Sequence, residues 1–170
     1  QRVQLFLTET TATIYIDSSG DPLWQRGYRS AAGQAPLKEN LAAGILALAG
    51  WNDVDEHGEP VYTTFLDPMC GSGTIVIEAA WMRTNTAPGL NRRFACERWA
   101  KADRMLWTKA RADARAAIKP LPDDTLFASD VHPGAIGATR RHLEQVGLLD
   151  AVSMMESNFV EIAAPAESGL

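Results

Sequence analysis

The stretch Asp67-Pro68-Met69-Cys70-Gly71-Ser72-Gly73-Thr74 decides the fold. It follows a short β-branched and aromatic run, residues 61–66, suited to a strand buried in a parallel sheet. It precedes a segment, ending near Arg83, that is apolar nearly all round and so predicts a helix packed hard on that sheet. Gly71 and Gly73 let the backbone of the turn approach a ligand closely, and the helix behind them offers unpaired N–H groups. In open parallel sheets ligands lie outside the carboxyl ends of the strands, near the point where strand order reverses. The next strand, residues 125–129, ends at Asp130, which places a second carboxylate at the same crevice.

The residues of this loop narrow the ligand. A dinucleotide fingerprint requires a third glycine three residues after Gly73, and that position is Val76. A phosphate loop requires Gly-Lys-Ser/Thr, yet no lysine occurs between Asp67 and Ile77. The loop has instead an acid, Asp67, four residues before its first glycine. An acid there can receive a cationic amine, such as the α-ammonium of a methionine moiety. The two oxygens of Asp130 suit the two hydroxyls of a ribose. Asp67, Gly71, Gly73 and Asp130 together suit S-adenosylmethionine, which has an amino-acid end and a ribose but no phosphate. A Gly-x-Gly alone is as readily a tight turn; the combination with two strand-end acids carries the reading.

Upstream, residues 3–16 alternate with period two, which predicts two strands joined at Glu9-Thr10. Residues 17–22 read as a turn and linker, and residues 23–29 as an extended segment. Pro36 suits a first helical turn, and residues 38–49 follow with good helix formers. Leu41, Ile45 and Leu48 fall on one face of that helix, and Gly50 can end it. Residues 52–60 are polar loop.

Downstream, residues 85–97 form a loop with Pro88 and Gly89, and residues 99–119 an amphipathic helix closed by Pro120 and Pro122. An insertion at about 84–122 accounts for the distance of Asp130 from the loop, far beyond the roughly 20 residues of a dinucleotide site. Pro133 opens a helix to about Val146, with Gly147 behind it, and residues 151–155 make a third strand. Residues 163–170, small and polar with Pro165, carry no element signal. The order helix, strand, helix, helix, strand, helix, strand is an α/β open sheet with parallel crossovers.

A chain of 170 residues suffices for one domain with a true core. Its net charge of −5 argues against this chain alone gripping a phosphate backbone. Arg92, Arg93 and Arg98 cluster, as do Arg140 and Arg141, and read by default as solvated faces. No apolar run approaches the roughly 20 residues of a membrane span, and the start does not read as a signal peptide, so a cytoplasmic location is expected. Cys70 and Cys96 make neither metal spacing nor a disulfide framework, and His57, His132 and His142 lie in unrelated contexts. No metal site is expected.

The loop octapeptide followed by Ile77-Glu78-Ala79-Ala80 resembles the RNA guanine-N2 methyltransferases that carry a THUMP domain. Gln25-Arg26-Gly27-Tyr28-Arg29 and residues 35–43, Ala-Pro-Leu-Lys-Glu-Asn-Leu-Ala-Ala, look like that family's lead-in. Ala87-Pro88-Gly89-Leu90, with Arg98-Trp99 and Trp107 behind it, is similar to the bacterial large-subunit ribosomal RNA branch. The resemblance implies the class I, Rossmann-like methyltransferase fold, here its N-terminal portion over residues 23–170. It also implies that residues 1–22 are the tail and linker of a THUMP-like RNA-binding region. It further implies S-adenosylmethionine as cofactor, the exocyclic N2 amine of guanine in 23S ribosomal RNA as target, and ribosomal RNA as partner, held mostly by regions outside this chain.

Cofactor roles carry over to Asp67, Cys70, Gly71, Ser72, Gly73, Thr74, Asp130 and Val131. Where the family shows an aspartate facing the adenine amine, this chain has Glu156-Ser157-Asn158-Phe159, so Asn158 is the candidate. The family's Asn-Pro-Pro-Tyr motif, which orients the target amine and stacks on the base, does not occur in the sequence. No catalytic residue is therefore assigned, and this chain alone is expected to be inactive.

Each singled-out residue also has a plainer reading. Cys70 as a methyl-accepting nucleophile stands against a small buried loop residue, which free cysteine usually is. Glu78 is a ligand contact or the partner of a neighbouring loop. Trp81, Trp99 and Trp107 stack on bases or pack in the core and insertion. His132 flanks the adenosine or simply enters a helix. Other readings of the whole chain are a different amino-methyltransferase, acting on DNA adenine or a protein amide, and a non-catalytic S-adenosylmethionine-binding or RNA-accessory module.

Overall fold

The computed structural model describes residues 2–29 and 37–170. The expected helix-opening Pro36 and the first two residues of the second lead-in stretch lie outside them. The chain runs β1 (Val3–Leu7), β2 (Ala12–Ile16), α1 (Glu39–Leu48), β3 (Phe65–Asp67), α2 (Thr74–Arg83), α3 (Arg104–Ala116), β4 (Leu126–Asp130), α4 (Pro133–Val146) and β5 (Val152–Glu156). Strands β3, β4 and β5 form a parallel sheet in that order, Phe65 opposite Leu126 and Leu126 opposite Val152. Each parallel step is a crossover through helix, as the sequence order predicts.

The core gathers where α2 lies on this sheet. Val76, Ile77, Ala79, Ala80 and Trp81 are buried against Phe65, Leu126, Ala128 and Leu143. Helix α2 has almost no polar face, so only full burial satisfies it. Trp51 follows α1 and is completely buried: its Nε1 donates to the Ala79 carbonyl at 2.9 Å and its ring packs on Phe65. The Arg83 guanidinium lies 3.9 Å over the same ring and donates to the Trp51 and Tyr62 carbonyls.

Some sequence expectations change. Helix α1 buries Glu39, Ala42 and Leu46, whereas Leu41, Ile45 and Leu48 are exposed. Its small Ala42 allows close packing on α2, and its apolar periodicity marks the opposite face. The strand expected over residues 61–66 shortens to Phe65–Asp67, because Val61 donates to Asp53 and Val54 bridges Pro60. A turn at Asp55 and Gly58 thus folds that backbone onto its own loop. Residues 163–170 form no helix or strand, as the sequence predicts, yet their end is tied down: Leu66 donates to the Leu170 carbonyl at 2.9 Å, and Leu170 donates to Thr64 at 3.0 Å. The last residue lies along the free side of β3 and packs on the core.

The excursion between α2 and β4 leaves and returns at one point. Lys119 donates to the Thr84 carbonyl at 2.8 Å, and the Asn85 carboxamide donates to Ala117. The helix expected over 99–119 shortens to α3, whose Asp103 cap accepts from Met105 and Leu106, and a 3₁₀ turn, Ala95–Arg98, stands before it at the end of the expected loop. The β1–β2 hairpin closes at Thr8 and Thr11, in the register Val3 to Ile16, with all its side chains exposed.

The reversed face of α1 is testable by urea denaturation. Leu46→Ala should cost about 2–5 kcal/mol, as for a buried leucine. Leu48→Ala, on the face the sequence favours, should stay within about 0.5 kcal/mol of the parent.

Candidate functional site

Asp67 is the last residue of β3 and only 6% exposed. Its Oδ1 accepts a long hydrogen bond from Met69 N at 3.4 Å, and its Oδ2 is buried without a partner among the described residues. Burial pushes this carboxyl up to about 6, and the negative charge of Asp130 adds a smaller push the same way. A buried acid with an unused oxygen is a place prepared for a cation or a donor.

The glycine turn is held from three sides. From β4, the Ser129 carbonyl accepts Cys70 N at 2.9 Å and the Asp130 carboxylate accepts Gly71 N at 3.0 Å. The other Asp130 oxygen accepts His132 N at 2.9 Å. Each oxygen thus keeps a lone pair for a further donor. From α4, the Thr139 hydroxyl donates to the Gly71 carbonyl at 3.1 Å and lies 3.5 Å from Cys70 Sγ. His142 Nδ1 donates to the Ser72 carbonyl at 2.9 Å; since a carbonyl only accepts, that nitrogen carries the ring proton. From the lead-in, Arg29 donates to Thr74 Oγ1 at 2.8 Å and to the Leu37 carbonyl, with Glu39 3.6 Å from its Nε.

Gly71 and Gly73 adopt left-handed φ values of 56° and 79°. At Gly73, the residue preceding α2, a Cβ would lie 2.8 Å from the Thr139 methyl. Glycine is therefore required there by conformation and by space. The result is a narrow turn of backbone N–H groups at a helix start, with a buried acid on one side and a half-satisfied acid on the other.

Seven of the nine sequence-predicted residues, Asp67, Cys70, Gly71, Ser72, Gly73, Thr74 and Asp130, meet in this network. Val131 follows Asp130 and is exposed. Asn158 lies exposed beyond β5, where its Oδ1 accepts Val160 N at 3.3 Å, so its side chain is engaged in its own turn. Cys70 is buried and its thiol pushed up to about 11, chiefly by desolvation, which suits a packed thiol and not a nucleophile. Glu78 serves the lead-in loop through a two-pronged pair with Arg26, at 3.0 and 3.2 Å. Trp81 is buried against Tyr28, and Trp107 stacks on Phe94, so both serve packing.

Reading the sequence missed Arg29, Thr139 and His142. A signal for two of them exists: Thr139 and His142 sit three residues apart beside Leu143 on the buried stripe of α4, where polar side chains require partners. Among the described residues no group of three or more His, Cys, Asp or Glu is arranged to hold a metal, and no helix is long and apolar enough to cross a membrane.

Comparison with known proteins bears on this geometry. Residues 26–169 match the family described as "RMKL-like, methyltransferase domain". The chain belongs to this family. It is 41% identical over 162 residues to a protein of Shewanella baltica named ribosomal RNA large subunit methyltransferase K/L, covering 92% of this chain and 22% of the relative. A protein of the same name from Desulfotalea psychrophila is 38% identical over 174 residues, 99% of this chain and 23% of the relative. The chain thus spans less than a quarter of the length of these relatives. The branch expected from the loop and from residues 87–107 is the one these names carry.

Among solved structures, SMU.472, a putative methyltransferase complexed with SAH, matches with a TM-score of 0.83 and 33% identity over 98% of this chain and 41% of that one. A possible methylase from Clostridium difficile 630 matches with the same TM-score and 34% identity, over 98% of this chain and 42% of that one. The parallel sheet and these neighbours establish the class I, Rossmann-like α/β fold.

Burial of Asp67 has a measurable consequence for the stability of this chain. In the unfolded chain the carboxyl loses its proton near 3.8, in the fold near 6. Between those values rising pH therefore destabilises the fold, and above about 6 the penalty is constant. Asp67→Asn should be more stable than the parent at pH 7.5, by at most about 3 kcal/mol, since each tenfold change in proton affinity is worth about 1.4 kcal/mol. The advantage should roughly halve at pH 5 and vanish below pH 4 in thermal melts.

Proposed function

We propose that this chain is the S-adenosylmethionine-binding part of an enzyme that methylates the exocyclic N2 amine of guanine in 23S ribosomal RNA. The observation that carries the proposal is the buried Asp67 Oδ2, without a partner among the described residues, beside the left-handed Gly71–Gly73 turn whose Gly71 N–H donates to Asp130. A ligand with an ammonium at one end and vicinal hydroxyls further along fits these groups. Asp67 would receive the α-ammonium, and Asp130 would accept ribose hydroxyls with its remaining lone pairs. The turn from Cys70 to Thr74 would lie against the ligand with its backbone, the reason for glycines there. Val131 and Asn158 would border the adenine. When bound, S-adenosylmethionine supplies an electrophilic methyl; this chain's residues bind and orient its carrier.

Support for the substrate is the name shared by the relatives, ribosomal RNA large subunit methyltransferase K/L, and support for the cofactor is the neighbour complexed with SAH. On the same reading residues 1–22 are the tail of a THUMP-like RNA-binding region, residues 23–170 the N-terminal part of the methyltransferase domain and 84–122 an insertion in it. A chain of this kind works in the cytoplasm, where ribosomal RNA is made. A second reading draws on a neighbour from Listeria monocytogenes titled a predicted N6-adenine-specific DNA methylase, 32% identical with a TM-score of 0.83 over 98% of this chain and 42% of that one. It keeps the crevice and changes the amine.

Calorimetric titration with S-adenosylhomocysteine tests the cofactor reading. Binding is expected, and Asp130→Ala should weaken it by roughly 1–3 kcal/mol, the scale of hydrogen bonds to a charged group. No binding to the parent chain, or an unaffected variant, overturns the assignment of the crevice. A protein carrying this chain at the length of its relatives should convert unmodified 23S ribosomal RNA to N2-methylguanosine on nucleoside chromatography. N6-methyladenine from DNA instead would favour the second reading.

A further inference from the structure

The excursion between α2 and β4 builds a cleft of about 670 Å³ whose wall is dominated by arginine. Arg92, Arg93, Arg98, Arg104, Arg111 and Arg115 line it against only two acids, Asp21 and Glu97, and no lysine, in a chain of net charge −5. Two of the six arginines are framework. Arg92 donates to the carbonyls of Asp21, Pro22 and Gln25 and so ties the cleft to the linker behind the hairpin. Arg111 pairs with Glu97 and lies over Trp107, which stacks on Phe94 with ring centres 5.5 Å apart. Glu97 also accepts Phe94 N, so its charge is already committed.

The other four, Arg93, Arg98, Arg104 and Arg115, are exposed and have no ion-pair partner among the described residues. Like-charged guanidinium groups gathered in one cleft repel one another, an arrangement that a bound polyanion relieves. On α3 the stripe from Arg104 through Arg111 to Arg115 runs about 16 Å by helical rise, too long for a single phosphate group. Guanidinium forks match phosphate oxygens two at a time. We infer that this cleft is a docking surface for the phosphodiester backbone of structured RNA, distinct from the crevice at Asp67 and Asp130. The inference rests on the RNA reading above and assigns part of the grip to this chain, which the net charge alone does not suggest.

Fluorescence anisotropy with a labelled RNA hairpin, repeated across a series of KCl concentrations, tests it. Arg98→Ala/Arg115→Ala removes two unpaired charges and should weaken binding about tenfold at 0.1 M salt. It should also lower the slope of log affinity against log salt by roughly 1.4–1.8, the contribution of two phosphate contacts. Arg140→Ala/Arg141→Ala on α4 makes the same charge change elsewhere and should weaken binding far less. Equal losses in the two variants, an unaffected cleft variant, or no RNA binding by the parent chain overturns the inference. Titration of S-adenosylhomocysteine into the same samples separates the two ideas. Its binding should persist in both variants, and its absence from the parent would sink the cofactor reading while leaving the RNA result to stand or fall alone.

Discussion

Everything at the crevice depends on one close approach, that of the Gly73 backbone to Thr139 of α4. It lets the first turn of α2 descend until Thr139 reaches the Gly71 carbonyl and His142 reaches that of Ser72. With the turn that deep, Gly71 N meets the carboxylate at the end of β4. A side chain at Gly73 would lift α2 from α4 and open each of these contacts in sequence. Helix packing, strand-end chemistry and loop shape are thus one constraint seen from three elements.

The same arrangement holds charge where burial disfavours it. Asp67 is kept from water with one oxygen unused, and Glu39 and Glu78 lie beneath the lead-in, each beside an arginine. Burial raises the carboxyl of Glu78 despite Arg26, so the pairing offsets desolvation only in part. Arg26 and Arg29 thereby clamp the lead-in to α2 and α1, joining a segment without regular structure to the helix that carries the turn. Asp67 differs because, among the described residues, no cation pairs with it. A site that is destabilising when empty is one whose ligand contributes to the stability of the fold.

Much of this was legible in the residues. The alternation of apolar runs with Gly and Pro gives the element order, because buried parallel strands and their covering helices have few ways to be spelled. The loop stands out because Asp67, two glycines and a second strand-end acid rarely coincide. What was not legible follows from contacts made far along the chain. Helix α1 turns its Ala42 and Leu46 inward because α2 accepts a close neighbour there, a preference that Leu41, Ile45 and Leu48 outvote in the sequence alone. Leu170 joins β3 by backbone bonds, which no side-chain pattern announces. Thr139 and His142 look ordinary until the turn they support is in place. Arg92, Arg93 and Arg98 read as a solvated face, and only the fold of the excursion brings Arg104, Arg111 and Arg115 beside them.

The bond between Lys119 and Thr84 has a consequence for how such a chain can change over evolutionary time. A segment whose ends meet adds little closure entropy as it lengthens, a few tenths of a kcal/mol for modest growth. Neither α2 nor β4 has to shift to accommodate it. Residues between these anchor points can change in length while the crevice beside them stays under strict geometric control. Catalytic ancestry and substrate preference can therefore be inherited on separate schedules within one domain.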